Sequence, residues 1–147
     1  MVILPLPRRR WRWVTRAGVG IAAVAVADLG LYAYLLAQRT GPLGLDGRPF
    51  GSRAFFVGGF LLLLAILGLV GAVARRTAAR TLVFGFTAGG GLALALLGMD
   101  SIGPPLLVVV ALSMVGLVHV DGRSWGPIVS GTYAAIAILL MGIAVTA

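Results

Sequence analysis

The sequence predicts an all-α integral membrane protein with five transmembrane helices. Three observations carry that prediction. The 147 residues are 60% hydrophobic, with a mean hydropathy of +1.06. Only 11% are charged, whereas a soluble domain holds roughly a quarter. The apolar residues fall into runs near the ~20 residues that a helix needs to cross a bilayer core. The 22 glycines suit helices that pack closely in lipid.

Five runs fit: Val19–Ala37, Ala54–Ala74, Leu82–Met99, Ile102–Val120 and Pro127–Ala147. The second begins with Phe55 and Phe56 and passes through Leu61–Leu64. Asp100 and Ser101 alone separate the third from the fourth, whose first turn takes Pro104 and Pro105 where their missing N–H groups cost little. A count of four spans follows if that pair is instead one long stretch or a re-entrant loop. Residues 1–18 form a basic, Trp-containing cytoplasmic arm, and residues 19–147 a single helical membrane domain. The first run is too long for the apolar core of a secretory signal and holds Asp28 in its middle, so it reads as an uncleaved helix.

Arginine placement gives the orientation. With the N-terminus inside, nine arginines (8, 9, 10, 12, 16, 75, 76, 80 and 123) lie in cytoplasmic segments. Three (39, 48 and 53) lie outside, as the positive-inside rule requires. The C-terminus is then outside, and the chain is a multi-pass protein of the plasma membrane. The Gln38–Arg53 connection carries the turn formers Gly41-Pro42, Asp46-Gly47 and Arg48-Pro49, and the other connections are short.

Absent residue types narrow the chemistry. Without Cys there are no disulfides, thiolate metal sites or cysteine nucleophiles, and without Lys there is no Schiff base. His119 is the only histidine, which excludes a two-His metal or haem centre built from one chain. No cofactor or metal is expected. Ser130-Gly131 lacks the preceding glycine of a nucleophile elbow. Gly89-Gly90-Gly91 lies within an apolar helix, so it is not a phosphate loop.

Three groups of residues remain as candidates. Asp28 sits mid-span, where an acid costs about 2.5–3.5 kcal/mol on insertion scales. Tyr32 follows it by one turn on the same face, and Ser113 is expected at similar depth, with Thr87 and Tyr133 as further polar groups. The trio is either a proton or cation site, a contact to a partner, or a neutral acid satisfied at a helix crossing. His119, Asp121 and Arg123 form a second group at the inner end of the fourth span. They suit a lipid headgroup or a partner's loop, or are a solvated helix end.

The third group is the arm itself: Arg8, Arg9, Arg10, Trp11, Arg12 and Trp13. Arginine beside a span attracts anionic lipid at about 1 kcal/mol per residue near the surface, and Trp anchors at the interface. That cause outweighs nucleic-acid binding. Small residues recur at four-residue spacing, as in Gly18/Ala22, Ala23/Ala27, Gly85/Gly89 and Gly131/Ala135, the usual material of helix contacts in lipid.

The expected function is a non-catalytic accessory subunit of a larger respiratory, transport or secretion complex in the membrane. Its partners would be other membrane subunits and anionic lipids, not nucleic acid. The alternative is a small homo-oligomeric transporter or channel that uses Asp28 as a proton or cation site.

Overall fold

The computed structural model describes residues 8–40, 52–98, 103–120 and 125–145, with the side chains of 8–10, 39–40 and 52–53 excepted. Five helices and no strand occur among them: α1 (Arg8–Thr40), α2 (Ser52–Val73), α3 (Thr77–Leu97), α4 (Gly103–His119) and α5 (Trp125–Val145). Four of the five are long and apolar enough to cross a membrane. The fourth predicted span is the shortfall. Its 17 helical residues extend about 25 Å at 1.5 Å per residue, less than a bilayer core of about 30 Å.

The start of α4 leaves few donors to satisfy. Gly103 donates its N–H to the Gly98 carbonyl at 2.7 Å, and Pro104 and Pro105 have none to donate. The first turn therefore lacks the free donors that a buried helix end ordinarily has to satisfy.

Helix α1 begins eleven residues before the apolar run that starts at Val19. The basic segment from Arg8 onward is the first part of that helix and is packed from Val14 on, where Val14 and Ala17 are buried. Met1–Pro7, the first residues of the expected arm, lie outside the described residues.

Helices α1 to α4 form a ring. Each packs on the next, and α4 closes back onto α1, while the diagonals α1–α3 and α2–α4 bring no backbones together. Helix α5 lies outside the ring against α3, with a smaller contact to α2. The ring interior is filled by fully enclosed Val14, Ile21, Leu61, Leu64, Phe84 and Val109. On α1 the buried stripe Val14, Ala17, Gly18, Ile21, Ala22, Ala25 and Asp28 repeats every three or four residues, the pattern of one helix face.

Small residues set the spacing at most contacts. A Cβ on Gly18 would come within 2.5 Å of the Gly68 carbonyl oxygen and 2.7 Å of the Ala72 nitrogen, so α1 and α2 meet backbone to backbone. Gly85 approaches Ile128 and Gly89 approaches Thr132, while Gly131 returns the contact to Leu82 and Phe86. Thr132 fixes the α3–α5 crossing by donating from Oγ1 to the Gly85 carbonyl at 3.1 Å. Gly116 and Gly71 make room for the Phe84 ring, and Gly90 for the Phe60 ring, which lies 6.2 Å from that of Phe86. Of the predicted pairs, Gly18/Ala22, Gly85/Gly89 and Gly131/Ala135 have both members at helix contacts, whereas Ala23 and Ala27 are exposed.

Backbone contacts have nothing flexible to yield, so a side chain added there pushes two helices apart. Gly18→Val should lower stability by about 1–3 kcal/mol in reversible unfolding of the detergent-solubilised chain. Gly30 faces nothing within 4 Å, and Gly30→Ala should be neutral or stabilising by up to about 1 kcal/mol. Equal losses from both would refute backbone packing as the basis of the α1–α2 contact.

Candidate functional site

Contacts between ring helices fix the heights of the polar groups inside. Trp13 stacks on His119, with ring centroids 5.9 Å apart, and Gly20 lies under Leu112. These antiparallel pairs set Asp28 level with the start of α4 near Pro104. Thr87 meets Ser113 and Phe84 meets Gly116 across α3 and α4, which puts Arg80 level with Val120. The buried polar groups are thus spread along the ring axis.

Thr87 and Ser113 occupy the middle. Their hydroxyl oxygens lie 2.8 Å apart. Ser113 Oγ is also 2.8 Å from the Val109 carbonyl, and Thr87 Oγ1 is 3.2 Å from that of Phe84. Whichever hydroxyl donates across the contact, the other can turn its proton to its own helix. Both are fully buried.

Asp28 is 1% exposed, and neither carboxylate oxygen has a hydrogen-bond partner. The expected trio is not assembled. Ser113 pairs with Thr87, and by helix register it stands nine residues from the height of Asp28, about 13 Å along the axis. Tyr32 follows Asp28 by one turn but makes no bond to it. The reason is register: counting within apolar runs put both residues at mid-span, whereas α1 starts eleven residues earlier and slides Asp28 toward the far end of the ring.

The opposite end holds Arg80, also 1% exposed, with Nε and Nη2 enclosed and unpartnered. Its guanidinium carbon lies 3.9 Å from the centroid of the Trp11 ring, reaching across the diagonal from α3 to α1. Trp13 stacks on His119 and carries Arg16 5.5 Å from its centroid. His119 is held by its own helix: Nδ1 lies 2.8 Å from the Val115 carbonyl, a bond that needs the proton on Nδ1. The arm tryptophans therefore tie α1 to α3 and α4, and each keeps part of its surface exposed. Arg12 and Arg16 are exposed, Arg8, Arg9 and Arg10 lie in the first turn of α1, and Asp121 and Arg123 lie outside the described residues.

Arg80 is the residue that sequence reading missed, having been counted with the charges of a loop. A signal was present. Arg80, Val83, Phe84 and Thr87 follow helical spacing, so Arg80 continues the stripe that packs into the ring.

The Thr87–Ser113 bond offers a direct test of the register. In a double-mutant cycle with Thr87→Val and Ser113→Ala, the coupling should be about 0.6–1.7 kcal/mol, the range of hydroxyl bonds between membrane helices. A coupling indistinguishable from zero would refute it. No protein family, curated protein or solved structure matches this chain, so the functional reading rests on its own geometry.

Proposed function

We propose that the chain is a non-catalytic subunit of a larger membrane assembly, of respiratory, transport or secretion type, and that the outward face of α5 is its seam with a neighbouring subunit. The observation that carries this reading is the character of that face. Helix α5 buries Gly131, Ala135 and Leu139 and leaves Ser130, Tyr133, Ala134, Ala137 and Met141 exposed. Tyr133 is 70% exposed and lies eight residues into the helix, about 12 Å from its start. At that depth acyl chains offer no hydrogen-bond partner, whereas another helix does. Ser130, Ala134 and Ala137 would let that helix approach closely. The arginine distribution orients the N-terminal end toward the cytoplasm of a plasma-membrane protein, where the basic start of α1 adds attraction for anionic lipid.

A second reading is favoured by Asp28 alone. An enclosed, unpaired carboxyl is the kind of group that carries protons or cations in a homo-oligomeric transporter or channel.

Mild-detergent extraction and mass determination of the intact particle separate the two. For a subunit, the particle contains other polypeptides in fixed ratio. Ser130→Leu combined with Tyr133→Leu should lower their recovery several-fold, with the chain's own unfolding midpoint unchanged. A particle that is a small multiple of 15.1 kDa, with a flux abolished by Asp28→Asn, would overturn the subunit reading in favour of the transporter.

A further inference from the structure

We infer that Arg80 is the anchor of an anion site that takes the phosphate of one anionic phospholipid headgroup at the Trp-bearing end of the ring. Nε–H and Nη2–H lie on one edge of a guanidinium, the edge that matches two oxygens of a phosphate or carboxylate as a fork. In Arg80 these two atoms are enclosed without a partner, while the Trp11 ring covers a different part of the group, 3.9 Å from its carbon. Trp11 stabilises the cation but cannot accept those hydrogen bonds in its ring plane, so a fork-shaped requirement is left over.

A second observation gives the same sign. Arg80 stands in the first turn of the 21-residue α3, where the helix dipole is positive and the first N–H groups have no partner within the helix. The N-cap residue is Arg76, whose side chain makes no capping bond, and the first turn contains no acid. Arg75 and Arg76 are exposed just before the helix. Arg80 therefore meets a helix N-terminus of the same sign, and neither of its two enclosed donors has a partner. A buried cation with unused donors at the positive end of a helix is costly by itself, and an anion answers both the charge and the two donors.

The headgroup is preferred to a free ion because of position. The exposed flanks of the site are apolar and aromatic, with Trp11 and Trp13 both partly exposed, as suits the level where headgroup meets acyl chain. Entry requires the Trp11 indole to slide off the guanidinium. That movement gives up the Trp11–Arg80 contact across the diagonal and leaves the backbone packing of α1 on α2 and α4 in place.

The test uses the full chain in detergent, stripped of lipid, with phosphatidylglycerol, phosphatidylcholine or inorganic phosphate added. The unfolding midpoint and lipid adducts in native mass spectra are read for wild type, Arg80→Lys, Arg80→Met and Arg16→Gln. The wild type should rise in midpoint and retain one phosphatidylglycerol, respond little to phosphatidylcholine, and share this behaviour with Arg16→Gln. Arg80→Lys keeps the charge without the fork and should need about tenfold more phosphatidylglycerol, the equivalent of one charge-assisted hydrogen bond. Arg80→Met should lose the response while being at least as stable as wild type in the lipid-free state. Should that variant fail to fold, the lysine variant decides alone. Wild-type behaviour of Arg80→Lys, or a lipid response surviving in Arg80→Met, would overturn the site. An equal response to inorganic phosphate would overturn the headgroup assignment and leave a free anion as the ligand.

Discussion

The contact on which the rest depends is the meeting of α1 and α2 at Gly18, Gly68 and Ala72, repeated in kind between α3 and α5 at Gly85, Gly89 and Gly131. Lipid tails are as apolar as the helices, so there is little hydrophobic gain in bringing helices together, and close van der Waals packing supplies much of the attraction. Dispersion falls off steeply with distance. A missing side chain therefore becomes an asset, because it lets two backbones approach. Phe84, Phe60 and Leu112 then fill the hollows over Gly116, Gly90 and Gly20.

This packing places the polar groups as well as the apolar ones. A ring with few side chains at its seams keeps its helices in fixed register, and register sets which hydroxyls meet. Thr87 and Ser113 satisfy each other in the middle. Asp28 and Arg80, the enclosed acid and base, are 16 residues apart in height, about 24 Å, and cannot neutralise each other. Enclosed polar groups without partners destabilise a fold, so each marks a place where the isolated chain leaves hydrogen-bonding groups unmet. At the Arg80 end, a cation covered by Trp11 at the N-terminus of α3 leaves two donors unmet. At the Asp28 end, the structure offers an enclosed carboxyl.

Helix α5 shows the same incompleteness on the outside. It contributes Ala135 and Leu139 to the core and otherwise presents Tyr133, Met141 and Val145 outward. The ring closes without it. Helix α5 is thus held on one face only, with the hydroxyls of Ser130 and Tyr133 on the exposed one.

Sequence alone was enough for the order of the apolar helices and the small residues at helical spacing, because both follow from local periodicity, while it left the third and fourth runs open as one span or two. It also marked Asp28 as costly, since a carboxyl within an apolar run is legible without coordinates. Tertiary structure alone decided which heights coincide. A helix that begins at Arg8 and not Val19 looks the same in a hydropathy profile, because arginine and tryptophan interrupt the apolar run without interrupting the backbone hydrogen bonds. The extended helix brings Trp11 over Arg80, the offset of α1 on α4 separates Asp28 from Ser113, and the offset of α3 on α4 pairs Ser113 with Thr87. Pairings between helices depend on their relative axial offset, and the offset is set by where glycines let backbones touch.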